Sequence, residues 1–267
     1  MFPFRWAVAH GEDEYGLWQA FELGGVRQRL RWMPPPHGGK FWMGSPKDEP
    51  GRFDGEDLHE AAVGGFWMAD TAVTQALWIA VMKDNPSSFK DNPRQPVERV
   101  SWNDIVDTFF PQANAMLSGL ELRLPCEAEW EYAARAAGQA RGAYWWGDKI
   151  TPEHARYGRK IENGSTVRVD QFQRNAQGLW VLGNVWEWTA DAWIEHLDAV
   201  QSPDHHKGDI ERDGGPGASA AGRAADRVLR GGCWGDEPRS CRLAYRGAGH
   251  PGYRDSYFGF RLARGPS

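Results

Sequence analysis

Cysteine is scarce. The 267 residues hold three, Cys126, Cys233 and Cys241. That number is too small and too odd for a disulfide scaffold, so the three read as buried or idle thiols. Long apolar runs are missing too. None approaches the roughly 20 residues that span a bilayer. The N-terminal stretch MFPFRWAVAHGEDEYG puts Glu12, Asp13 and Glu14 where a signal peptide needs apolar residues, so a cytoplasmic setting is expected. There is no basic excess. The formal net charge is -5 with a pI near 5.9, which argues against a nucleic-acid partner. No phosphate-cradling P-loop or GxGxxG occurs. His205-His206 lacks a helical partner for zinc, and Ser87-Ser88 lacks a nucleophile elbow.

Tryptophan and glycine are abundant instead, 15 and 32 residues. Large rings among many glycines suit short strands and long ordered loops, with the rings supplying the buried area. Strand signals run over Leu30 to Met33, Lys40 to Met43, Gly65 to Asp70 and Leu122 to Leu124, and Val97 to Val100 is extended. The acidic stretch Lys47 to Glu60 has no periodicity and is expected to be a surface loop. Helical spacing follows Thr74, a candidate cap. Ser101, with Asp104 three positions on, opens a helix through Leu117 whose apolar positions are Ile105, Phe109 and Ala113. Pro125 opens another over Glu127 to Ala137. Residues 139–230 contain few further elements, and Gln201 to Asp226 reads as a polar loop. One domain over residues 1–267 fits this pattern best.

Five blocks occur in a characteristic order. They are Phe41-Trp42-Met43-Gly44-Ser45; Phe66-Trp67 with Thr74-Gln75-Ala76-Leu77-Trp78; Pro96-Val97-Glu98 with Val100-Ser101-Trp102; Arg123-Leu124-Pro125-Cys126-Glu127-Ala128-Glu129-Trp130-Glu131; and Gly183-Asn184-Val185-Trp186-Glu187-Trp188, closed by Arg230-Gly231-Gly232 and Gly259-Phe260-Arg261. Their physics is mainly structural. Glu127 and Glu131, four apart, are placed to hold arginines, and of Trp186 and Trp188 one is expected on the core and one on a loop layer. The blocks resemble the formylglycine-generating-enzyme, or sulfatase-modifying-factor, family. The resemblance implies an α+β, C-type-lectin-like fold with a small twisted antiparallel sheet, few helices and many long loops.

The resemblance also implies an oxidase in which two C-terminal cysteines work with copper and oxygen to turn a substrate cysteine into formylglycine. This sequence departs from that pattern. Cys233 stands at the family's serine position after Gly231-Gly232, and Cys241 falls at a framework position beside Arg242. A linear Cu(I) dithiolate needs two sulfurs on opposite sides of one metal, and nothing here specifies that. No catalytic residue is therefore assigned, and copper is not expected. Calcium is the other cofactor the resemblance implies, with Glu187 as carboxylate and Gly183 and Val185 as carbonyl donors. The Asp or Asn expected a few residues earlier is absent from Gly178-Leu179-Trp180-Val181-Leu182, which costs Ca²⁺ one hard oxygen.

Residues 233–258 alternate between two kinds of position. A framework of Trp234, Arg239, Cys241-Arg242, Ala244-Tyr245-Arg246, Pro251, Arg254 and Phe258 is interleaved with Gly235, Asp236, Glu237, Ser240, Gly247, Ala248, Gly249, His250, Gly252, Tyr253, Asp255, Ser256 and Tyr257. The spacing resembles the variable region of retroelement-diversified proteins, in which adenine-randomised codons yield Gly, Asp, Ser, His, Tyr and Ala. Tyrosines give large contacts at small entropic cost, and the small polar residues adapt locally. The interleaved residues are thus expected to form an exposed ligand-binding face, for a protein ligand. Trp234, Arg242, Arg246, Arg254 and Phe260 are expected to be buried, and Arg239, Arg242, Arg246 and Arg254 to pin the loops from beneath. The rival readings are a divergent oxidase using Cys233 or Cys241, a scaffold module in a larger assembly, and the ordinary surface loops of an oxidase relative.

Overall fold

A computed structural model describes residues 2–160, 162–197 and 224–266. The expected polar loop 201–226 falls almost wholly outside them, as does His205-His206. Among the described residues there are ten strands: β1 Ala9–Asp13, β2 Gly16–Leu23, β3 Val26–Met33, β4 Lys40–Met43, β5 His59–Ala62, β6 Phe66–Ala72, β7 Trp186–Ala192, β8 Arg227–Arg230, β9 Arg246–Gly249 and β10 Phe258–Arg264. Eight form one sheet in the order β1-β2-β3-β6-β10-β7-β8-β9, and β4 pairs with β5. The C-terminal strand therefore lies mid-sheet, antiparallel to β6 and parallel to β7. The fold is α+β as expected, and the sheet is larger than expected and carries this one parallel pair.

The N-terminal hairpins add strands that were not anticipated. Leu23 pairs with Val26 across Gly24-Gly25, both with positive φ. This is the two-residue turn whose twist suits a hairpin, and glycine reaches it without a Cβ penalty. Among the described residues four α-helical segments occur: α1 Gln75–Met82, α2 Trp102–Asp104, α3 Phe110–Met116 and α4 Glu127–Ala134. Thr74 caps α1, accepting from the Leu77 N–H, and Ser101 with Asp104 forms a reciprocal capping box. Between α2 and α3 lies a π turn, Ile105–Phe109. Pro111 follows it. Proline lacks an N–H and crowds the carbonyl four residues back, and a widened turn accommodates both effects.

The Glu127 helix stops at Ala134 rather than Ala137, because Ala136 and Ala137 turn left-handed. Its cap is Cys126, not Pro125: the Cys126 sulfur accepts from the Glu129 N–H while the Glu129 carboxylate accepts from the Cys126 N–H. One core cluster gathers Trp78, Trp102, Trp186, Trp188, Phe109 and Phe260, and a second gathers Trp130, Tyr132, Phe66 and Leu243. Trp186 and Trp188 both join the first cluster. Residues two apart on a strand share a face, so the expected division between core and loop layer does not occur.

Candidate functional site

Arginine–glutamate pairs buried beneath the C-terminal segment fix its framework. Arg246 is 4% exposed. Its Nε and Nη2 donate to Glu127 at 2.6 and 3.0 Å, and Nη1 donates to the carbonyls of Gly55 and Ile194 at 3.1 and 2.8 Å. Arg230 donates to Glu131 and to the carbonyls of Leu243, Ala244 and Tyr245. Arg242 is held by Glu49 at 2.8 Å and by both oxygens of Glu56. Such forks satisfy several acceptors at once in fixed geometry. Glu127 and Glu131 thus hold arginines as the sequence implied. Most of the 47–60 stretch is an exposed loop as expected, but Glu56 within it is wholly buried and the end of the stretch enters β5. Glu49 and Glu56 turn inward and neutralise Arg242, while Asp48, Asp54 and Glu60 stay exposed.

Above this layer the interleaved residues divide. Gly235, Glu237, Ala248, His250, Gly252 and Tyr253 are exposed, and Asp236, Asp255, Ser256 and Tyr257 are half-buried. Their side-chain bonds stay inside the segment. The Tyr253 hydroxyl and Ser256 hydroxyl donate to Asp255, His250 Nδ1 accepts from the Gly252 N–H, and Asp236 accepts from the Cys233 N–H. The segment's backbone is anchored from outside those side chains. Arg99, Asn103 and Trp186 give backbone N–H bonds to the carbonyls of Asp255, Pro251 and Tyr257, and the Trp234 indole bonds that of Ser256.

Several expected placements are corrected. Ser240 is buried at 8% inside a short helical turn, Pro238–Cys241. Gly247 and Gly249 are half-buried, and a Cβ at either would sit 3.3 or 2.8 Å from the Trp186 or Trp188 ring. At Gly235 it would sit 2.9 Å from Tyr257. Arg254 and Arg239 lie on the surface with side chains 56% and 62% exposed, Arg254 paired with Asp104 and Arg239 with Glu237. Their partners Asp104 and Glu237 themselves lie at the surface, 25% and 74% exposed, unlike the buried Glu127 and Glu56 that hold Arg246 and Arg242. Trp234, Arg242, Arg246 and Phe260 are buried as expected. Arg99, Asn103 and Asp104 border the face and were missed; they come from the separate Val97 to Asp104 stretch, which local spacing does not connect to residue 250.

The cysteines do not fit a copper site. Cys233 and Cys241 are 1% and 0% exposed, and burial pushes both thiols up. The thiolate is the copper ligand and the nucleophile, so this environment opposes both roles. The Cys241 sulfur lies against Gly232, where a Cβ would meet it at 2.8 Å. Cys126 is occupied as a helix cap.

The calcium set converges but does not fit a cation. Gly183, Val185 and Glu187 line one cavity of about 30 Å³, shared with Arg168, Val169 and Phe172. That space admits a water, so size alone excludes nothing. Glu187 instead accepts from Arg261 Nε and Nη2, both at 2.8 Å, and from the Trp130 indole at 2.7 Å. The Arg261 guanidinium thus supplies the positive charge that the carboxylate neutralises. Leu182, Gly183 and Asn184 all have positive φ. Asn184 tolerates that region and clamps Val167 through both its N–H and C=O, each at 2.9 Å.

An eight-stranded sheet with capped short helices and long loops, pinned by buried Arg–Glu pairs, defines a C-type-lectin-like scaffold of the formylglycine-generating-enzyme type. Residues 35–266 match the family described as "Sulfatase-modifying factor enzyme 1-like domain", and the chain belongs to it. The formylglycine-generating enzyme of Streptomyces coelicolor is 37% identical over 196 residues, 66% of this chain and 55% of that protein. The formylglycine-generating enzyme of Thermomonospora curvata is 35% identical over 234 residues, 78% of this chain and 71% of that one. The chain thus spans little more than half the length of the first relative. Among solved structures, Treponema denticola variable protein 1 superposes with a TM-score of 0.72 at 24% identity, covering 93% of this chain and 99% of that one. At that identity the likeness concerns the fold.

Proposed function

We propose that this chain is a non-catalytic ligand-binding protein that displays residues 235–257 to a protein ligand, acting in the cytoplasm. The observation that carries the reading is the division of labour in this segment. Its backbone is held by buried arginines and by residues outside it, while the interleaved side chains make their hydrogen bonds within the segment. Such side chains can be exchanged without loosening the scaffold. Tyr253, Tyr257, His250 and Asp255 then offer the mixture of rigid aromatic and adaptable polar contacts that paratopes use. Diversification by a retroelement belongs to the same reading.

The relatives named as formylglycine-generating enzymes favour a second reading, oxidation of a substrate cysteine. The buried thiols count against it. The discriminating assay incubates the protein with Cu(I), oxygen and a cysteine-containing sulfatase peptide and follows peptide mass. The binding reading expects the peptide to persist unchanged. Conversion to formylglycine, lost in Cys233→Ser or Cys241→Ser, would overturn it.

A further inference from the structure

A second cleft is lined by none of the interleaved residues. Trp42, Gly44, Pro46, Glu49, Leu58, Arg135, Ala140 and Arg141 enclose about 250 Å³. Its origin is local. Strand β4 alternates, turning Phe41 and Met43 inward and Lys40 and Trp42 outward. Trp42 is 50% exposed and Leu58 46%, so two large apolar side chains stand in water at one opening. Gly44 forms the floor, and no larger residue fits there: a Cβ would lie 2.4 Å from the Asp57 carbonyl.

The polar groups of the cleft are mostly cationic. Arg135 is 6% exposed. Its Nε is committed to Glu131 and its Nη2 to the Gly44 carbonyl, both at 2.7 Å, but Nη1 reaches only the Ala140 carbonyl at 3.4 Å. Good N–H···O bonds span about 2.7–3.2 Å, so this buried nitrogen keeps donor capacity to spare. Arg141 stands exposed at the rim, paired with no carboxylate among the described residues. Glu49 does not offset it, because its carboxylate is held 2.8 Å from Arg242. In the adjoining network Glu49, Glu56, Glu127 and Glu131 balance Arg135, Arg230, Arg242 and Arg246 one for one. Arg141 is the surplus charge.

We propose that this cleft binds a small aromatic carboxylate, its ring against Trp42 and Leu58 and its carboxylate between Arg141 and Nη1 of Arg135. The assignment follows from the lining. A flat apolar wall favours an aromatic body by stacking. Two guanidiniums favour a planar carboxylate, which they meet with paired N–H donors. The volume lies below the roughly 300–1,000 Å³ of drug-sized sites, which selects a small acid. A cation would face Arg141, and an inorganic anion would leave Trp42 and Leu58 in water.

Calorimetric titration with indole-3-acetate, indole-3-acetamide and tryptamine tests the site on the whole chain. The acid is expected to bind one per chain, the uncharged amide at least tenfold more weakly, and the amine without saturation. Arg141→Gln and Trp42→Ala alter exposed side chains, and each is expected to weaken the acid at least tenfold. His250→Ala and Tyr253→Ala, on the display face, are expected to leave it unchanged, so this site stands or falls apart from the proposed function. The assignment is overturned by no saturable binding of indole-3-acetate at millimolar concentration, by equal affinity for acid and amide, or by full affinity in Arg141→Gln.

Discussion

Replacing Arg246 by alanine removes the fork that ties strand β9 to helix α4. Four groups lose a donor: both oxygens of Glu127 and the carbonyls of Gly55 and Ile194. The guanidinium also packs over Trp193 at 4.5 Å. Arg230, 3.6 Å from Glu127, remains as a more distant counter-charge. Breaking a buried pair from one side costs about 3–5 kcal/mol, mainly because a charge is left unneutralised in low dielectric. Each orphaned carbonyl adds about 1–3 kcal/mol where water cannot reach it. These terms overlap, because water entering the vacated space serves several groups at once, and the expected loss is about 4 kcal/mol. For a domain of this size that corresponds to roughly 8–16 °C in Tm. Urea unfolding followed by tryptophan fluorescence measures it. The double variant Glu127→Gln with Arg246→Met removes both charges and is expected to be more stable than Arg246→Ala. A loss under about 1 kcal/mol for Arg246→Ala, the range of ordinary surface changes, would refute the view that the display segment is held from beneath by this network.

Two further outcomes follow from the buried carboxylates. Burial raises Glu98 from 4.5 to about 7, and its Oε2 has no hydrogen-bond partner. The folded state therefore binds a proton that the unfolded state has released, and stability falls as pH rises from about 4.5 to 7. Asp70, raised from 3.8 to about 6, acts in the same direction. Glu98→Gln is expected to flatten the stability profile in that window without abolishing the slope. An unchanged profile contradicts the assignment. Glu187→Gln is expected to lower Tm equally with calcium and with chelator, because Arg261 rather than a cation is the partner. A large drop with chelator alone, absent in Glu187→Gln, shows that calcium is the partner instead.

What could be read from the sequence followed locality. The caps at Thr74 and Ser101 depend on residues three positions away, so both were legible. The ordered family blocks conveyed the fold class, because their glycines and tryptophans occur at fixed intervals. The β2–β3 hairpin was legible in principle from Gly24-Gly25 and was missed, because the flanking runs mix charge with apolar residues. The Arg242–Glu56 pairing spans 186 residues, and no local pattern announces it, so the buried Glu56 within the 47–60 loop was not foreseen. Arg254 and Arg246 look alike in sequence. Their different fates depend on whether a buried carboxylate lies within reach, which only the assembled fold decides. The same limit applied to Gly247 and Gly249, whose small size looked like surface adaptability and is dictated by the tryptophans packed against them.

The central claim is that the exposed and half-buried interleaved residues of the C-terminal segment are exchangeable while the layer beneath them is not. A library randomised at Asp236, Glu237, Ala248, His250, Gly252, Tyr253 and Asp255 tests it directly, scored for soluble, cooperatively folding members. A second library at Arg230, Arg242 and Arg246 serves as its control. Surface substitutions cost about 0.5 kcal/mol or less each, so most members of the first library are expected to fold, with Tm values within a few degrees of the parent. Nearly all members of the second are expected to fail. If the first library fails as often as the second, the display surface is itself framework, and the binding reading gives way to a fixed site.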